Sequence, residues 1–162
     1  MTKNYHKTTY DYSNRTVDLL LLQFVHEPGD EQIVRPDVSK QPRIVTGIEK
    51  LVQRYALLFL TQVGTVKNKD NEGTRFLSLL GSGHIYDDNT LRSAAAAAND
   101  SVLRQIQSED RTLDTPDDEA LRRSEIYETA IDRASATVYV TVLITSVAGE
   151  TYKYTTPLTT GV

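Results

Sequence analysis

Residues 138–145, VYVTVLIT, constrain this chain more than any other stretch. Val138, Val140, Val142 and Ile144 alternate with Tyr139, Thr141, Leu143 and Thr145. A strict period of two in β-branched residues specifies a strand with one apolar face and excludes a helix. Ala148 and Gly149 then supply a turn, and residues 151–155 return as a second strand. An isolated hairpin is marginal in water, so a further strand has to join it. Residues 124–132 are nearest in sequence. They fit either an extension of a preceding helix or a strand with Tyr127, Thr129 and Ile131 on one face, and the need for a partner favours the strand. A final strand exposes unpaired N–H and C=O groups, which Lys153 and Pro157 blunt only in part. Either the chain's own sheet pairs that edge or a strand from another chain does.

Residues 44–62 carry the clearest helical pattern. Ile48, Leu51, Val52, Tyr55, Leu58 and Phe59 form one stripe. Glu49, Lys50, Gln53 and Arg54 are expected to face away from it. Thr46 and Glu49 are spaced as a capping box, and Val63-Gly64 ends the helix. Residues 64–83 read as an irregular connector with one apolar turn at 76–80. A second helix is expected over 90–109, capped by Asn89 or Thr90 and rich in alanine at 94–98. An acidic turn follows, with Pro116 at the start of a short helical turn running to Leu121-Arg122. Earlier in the chain, the apolar run at 17–25 reads as a strand. The proline-containing stretch after it reads as a loop with a short extended piece at Ile33-Val34. Residues 1–16 read as a polar N-terminal arm and 17–162 as one domain. Strands segregated from helices define an α+β fold. Its small antiparallel sheet, the N-terminal strand plus three C-terminal strands, would be covered by the two main helices.

Composition narrows the chemistry. A length of 162 residues suits one domain with its own core. The net charge of −4, with no basic block, argues against a nucleic-acid partner. The absence of cysteine removes disulfides, cysteine-ligated zinc and thiol catalysis. No apolar run reaches the ~18 residues of a membrane span, and no secretory leader is expected. His6, His26 and His84 are not spaced as metal ligands. The glycines at 64, 73, 81 and 83 do not form a phosphate-binding loop. Asp114, Asp117, Asp118 and Glu119 are the best candidates for carboxylate chemistry. Their polar surroundings favour a solvated turn over the apolar pocket that a glycosidase acid needs. No catalytic residue, cofactor or metal ligand is therefore assigned.

Several stretches together carry a resemblance: GIEKLVQRYALLFLT at 47–61, the connector ending FLSLLGSG at 76–83, the alanine-rich helix, and VYVTVLITSVAGETYKYTTPL at 138–158. Their order and spacing are similar to the small baseplate wedge or sheath-initiator proteins of contractile-tailed phages, formerly called lysozyme-like. The likeness spans residues 44–158. It implies a non-enzymatic structural virion protein at the tail baseplate, assembled in the host cytoplasm and present in six copies in a ring. Its implied partners are the tail sheath protein and other baseplate wedge proteins, with the tail tube or baseplate hub nearby. The sheath-docking strands would then carry Val138, Val140, Val142, Ile144, Tyr152 and Tyr154, templating sheath assembly by β-augmentation. Wedge contacts would fall on Ala94, Ala97, Ala98, Arg122 and Arg123. The Glu-Pro-Arg triplet frequent in that family is missing. Glu119 with Arg122 and Arg123, or Asp132-Arg133, are the nearest substitutes. The first 43 residues have no counterpart. The alternatives are a tail-associated cell-wall glycosidase and another tail binding module such as a terminator.

Overall fold

The computed structural model describes residues 18–19, 21–26, 32–36 and 43–160. The expected arm at 1–16 lies outside them. The elements are β1 (Asp18–Leu19), β2 (Leu22–His26), β3 (Gln32–Pro36), β4 (Ile44–Val45), α1 (Gly47–Leu60), α2 (Phe76–Gly81), α3 (Asp88–Thr112), β5 (Leu121–Asp132), β6 (Thr137–Ser146) and β7 (Thr151–Thr159). The fold is α+β. Residues 124–132 are strand, and the run at 17–25 supplies β1 and β2.

The main sheet runs β2-β3-β7-β6-β5, and β1 and β4 form a separate two-stranded ribbon. β5, β6 and β7 make an antiparallel meander. β3, the extended piece at Ile33-Val34, adds to β7 in parallel with Ile33 opposite Thr155. The sheet thus gains a strand beyond those expected, and its junction with the N-terminal hairpin is parallel.

The alternation at 138–145 has its expected consequence. Val138, Val140, Val142 and Ile144 are buried with Leu51, Val52, Tyr55, Phe59, Leu91, Val102 and Ile106 from α1 and α3. Each such side chain contributes about 1.5–3 kcal/mol by leaving water. Tyr154 of β7 joins this core, its ring edge-on to Tyr55.

Both helix starts differ from expectation. Thr46 precedes α1 but makes no side-chain cap bond. Glu119, far along the chain, accepts from Gly47 N–H at 3.2 Å instead and binds Lys50 Nζ at 2.7 Å. α3 starts two residues early, because Asp87 caps it and forms a reciprocal capping box with Thr90. Asn89 and Thr90 therefore lie inside the first turn. Pro116 opens a single helical turn, its carbonyl accepting from Glu119 and Ala120 N–H, but the turn stops short of Leu121-Arg122, which already belong to β5.

Gln53 is completely buried, although its spacing placed it on the outer face of α1. The N-terminal segment lies against that face. The Gln53 amide oxygen accepts from Leu21 N–H at 2.6 Å and Leu22 N–H at 3.2 Å. Its amide nitrogen donates to the Leu19 carbonyl at 2.8 Å. Lys50 and Arg54 are also partly covered, both in ion pairs.

The connector after α1 closes on itself. Val63 N–H donates to the Thr74 carbonyl and Thr74 N–H to the Thr61 carbonyl. Gln105 of α3 clamps Gly73, accepting from its N–H and donating to its carbonyl, both at 2.8 Å.

Candidate functional site: the edges of the sheet

Consecutive residues of a strand offer their backbone groups to opposite sides, so the register fixes which groups are free. β6 pairs along its length with β5 on one side and β7 on the other. It presents no edge. Val138, Val140, Val142 and Ile144 are at most 1% exposed and form the core. Assigning them to sheath docking is therefore corrected: a central strand has no backbone groups left for a partner. Tyr154 is corrected for the same reason. Its side chain is fully buried, and burial pushes its hydroxyl pKa well above the ordinary value. Tyr152 is half-buried, its hydroxyl pushed up to about 12 by burial and by Glu49 nearby. The outer side of β7 faces β3.

β5 is the outer strand at the opposite edge, twelve residues long. It carries two register shifts, at Leu121/Arg123 and Ile126/Glu128. Bulges of this kind twist an edge away from casual pairing. Its first third is further covered by side chains of α3. Asp110 accepts from Leu121 N–H at 2.9 Å, Gln107 donates to the Arg122 carbonyl at 3.1 Å and Asn99 donates to the Ser124 carbonyl at 3.3 Å. Asn99 is itself held by the Tyr55 hydroxyl at 2.6 Å. These carbonyls fix the phase: before the second bulge the outward set contains Arg122 and Ser124 and continues to Ile126. The bulge shifts the phase, so Thr129 and Ile131, opposite Val140 and Val138, become the outward residues. Among the described residues no strand pairs with this distal half of β5, although the side chains of Ile126, Thr129 and Ile131 are half-buried, those of Ile126 and Ile131 against the core.

The expected wedge contacts are spread over two places. Arg122 and Arg123 are exposed near the start of β5. Ala98 is buried and Ala94 half-buried, whereas Ala97 is exposed. Ala94, Ala97 and Ala98 line a pocket of about 280 Å³ with Val63, Phe76 and Leu79. The small side chains thus admit α2 and the connector of the same chain.

The acidic cluster does not gather as a catalytic pair. Asp114 and Asp117 are exposed, whereas Glu119 is 3% exposed and bound to Lys50. Burial of Glu119 corrects its reading as a solvated acid. A pocket of about 270 Å³ lies between Glu119 and a second ion-pair group. There Arg54 contacts Asp110 at 2.8 Å and Glu109 at 3.0 Å. His84 is exposed, with its ring nitrogen 2.6 Å from the Ser82 hydroxyl. Among the described residues no group of histidine and acidic side chains is arranged to hold a metal ion, and no helix is long and apolar enough to cross a membrane.

Comparison with protein-family models, with curated proteins and with solved structures finds no match to this chain. The backbone edges were legible in part, since the meander follows from residue alternation. Gln53 and the α3 amides carry no such signal, because only the tertiary fold brings backbone groups to them.

Proposed function

We propose that the protein is a structural component of a contractile phage tail, a baseplate wedge protein that templates sheath assembly by strand pairing. The observation that carries this reading is the distal half of β5. It is a sheet edge covered by α3 side chains up to Ser124 and without a partner strand from Ile126 to Asp132 among the described residues. A sheath strand would bond to the backbone of Ile126, Thr129 and Ile131. Sheath docking thus moves from the β6–β7 hairpin to β5.

Two further observations support a structural role. The most buried carboxylate among the described residues, Glu119, is tied to Lys50 and to the start of α1, and Asp110 to Arg54 and the start of β5. Both acids join elements together. Arg122, Arg123 and the exposed Ala97 remain as contacts for other wedge proteins, with the tube or hub nearby.

The energetics favour a ring. A backbone hydrogen bond has a net worth of about 0.5–1.5 kcal/mol, so four give about 2–6 kcal/mol. That corresponds to roughly millimolar affinity for one isolated site. Six copies on one ring would convert it into firm attachment through effective concentration.

The test is seeding. Baseplates containing the protein are mixed with sheath subunits from the same source, and growth is followed by light scattering and electron microscopy. Thr129→Pro removes an N–H that points away from β6, so the monomer should stay folded while sheath growth is lost. Normal growth from Thr129→Pro baseplates would refute docking at this edge.

A further inference from the structure

The unpaired half of β5 runs into a cleft of about 350 Å³ beside the β5–β6 turn. Ile131 and Val138 line it from the sheet. Leu80, Gly81, Ile85 and Tyr86, from α2 and the loop that leads to α3, line it from the helix side. Val138 and Leu80 are buried, Ile131 and Ile85 are half-buried, and Tyr86 is 70% exposed. A mainly apolar cleft with an exposed aromatic ring at its rim suits a further apolar group. The polar groups at its margin are already bonded within the chain. Asp132 accepts from Ala134 N–H at 2.9 Å and from the Ser135 hydroxyl at 2.6 Å. The Thr160 hydroxyl donates to the Ala136 carbonyl at 3.0 Å. Neither calls for a charged occupant.

The register says what reaches the cleft. Ile126, Thr129 and Ile131 turn their backbone groups outward, and each lies opposite a core residue of β6: Val142, Val140 and Val138. Their side chains therefore face the helices. In a strand added beside them, the residue opposite each points to the same face, with its Cβ about 5 Å away. The residue opposite Ile131 thus arrives at the mouth of the cleft. In strand addition, main-chain bonds supply affinity, and pockets for alternate side chains supply specificity. We infer that the strand received by β5 carries one large apolar residue, of leucine to phenylalanine size, opposite Ile131, and that its side chain seats in the cleft between Ile131, Ile85 and Tyr86. The inference rests on strand addition at β5 and adds the chemistry of the partner. It also gives the edge a means of choosing a register, which main-chain bonds alone lack.

The probes are four acetylated heptapeptides, Thr-Val-Thr-X-Thr-Val-Thr, with X as Phe, Leu, Ala or Asp. Each is titrated into isotopically labelled protein, and the amide shifts of Ile126, Thr129 and Ile131 give its affinity. The Phe and Leu peptides should bind at least about tenfold more tightly than the Ala peptide, from the apolar area their side chains bury, and the Asp peptide should be weakest. Two variants test the cleft. A Cβ at Gly81 meets no atom within 4 Å, so Gly81→Leu folds and places its side chain in the space the anchor needs. Tyr86→Ala removes the exposed wall. In both, the advantage of Phe over Ala should shrink. Equal affinity of the four peptides for the unaltered protein would overturn the anchor while leaving strand addition standing. A Phe advantage kept in full by both variants would overturn it as well. Failure of every peptide to move the three amides would remove strand addition at β5 itself, and the anchor with it.

Discussion

Replacing Gln53 with leucine isolates the contribution of the anchor that holds the N-terminal segment. Gln53→Leu keeps an apolar side chain of similar size in the buried face of α1. It leaves Leu21 N–H, Leu22 N–H and the Leu19 carbonyl without their partner, bonds of 2.6, 3.2 and 2.8 Å. The 3.4 Å contact to Asp18 is at the limit of a hydrogen bond and is counted as nothing. At about 0.5–1.5 kcal/mol net per bond, three bonds amount to about 1.5–4.5 kcal/mol. For a chain of this size that lowers the melting temperature by about 3–18 °C. The upper part of that range is reached only if that segment stays docked with its backbone groups unpaired. If it leaves, water satisfies them and the loss falls instead on the packing of Leu22. Calorimetry reads the first outcome, and tryptic cleavage at Lys40 or Arg43 reads the second. Gln53→Glu should be worse. It keeps an oxygen to accept from Leu21 and Leu22 N–H but turns a charge towards the Leu19 carbonyl and Asp18. Burial would raise its carboxyl pKa in the folded state, so its stability should be best in acid and fall as pH rises. A Gln53→Leu protein with unchanged melting and unchanged cleavage would refute the anchoring role.

Other perturbations test separate joints of the fold. Gly73→Ala should destabilise strongly, since the backbone there has φ of +98° and a Cβ would overlap the Thr61 carbonyl; a melting point within a degree or two of wild type would show that the loop closure is dispensable. Glu119→Ala should cost about 3–5 kcal/mol, because it breaks a buried ion pair and the cap of α1, whereas Asp114→Ala should change little; comparable melting for the two would contradict a structural Glu119. Asp87→Ala should lower the melting temperature at neutral pH. Hydrogen bonds from Thr90 hold the Asp87 carboxyl below its ordinary pKa, so its stabilisation is present above the unfolded value and lost as pH falls through the folded one. The gap between wild type and Asp87→Ala should therefore narrow in acid, as read by melts across a pH series.

Periodicity carried the elements whose two faces meet different surroundings. The valines of β6 and the stripe of α1 read directly as core. It failed where a side chain's environment is made by distant residues. Gln53 and Glu119 look like solvent-facing polar positions in sequence, and each is buried because a remote segment brings backbone N–H groups to it. Asp87 was missed as a cap because Asn89 and Thr90 are equally good capping residues two and three positions later. The β3–β7 junction could not be read from sequence, since a parallel pairing across more than a hundred residues leaves no local pattern. The free edge of the sheet was misread for a related reason. Alternation marks the strongest strand, and the strongest strand takes the centre of the sheet, where both sides are already bonded.

The central claim is that β5 receives a strand from a sheath subunit, and amide hydrogen exchange tests it directly. Exchange at Ile126, Thr129 and Ile131 is measured for the protein alone and after sheath subunits are added. The account predicts that these outward amides exchange freely in the isolated protein and become protected in the mixture, while the amides of β6 stay protected throughout. Protection that appears on the helices or along β7, with the distal half of β5 unchanged, would contradict it.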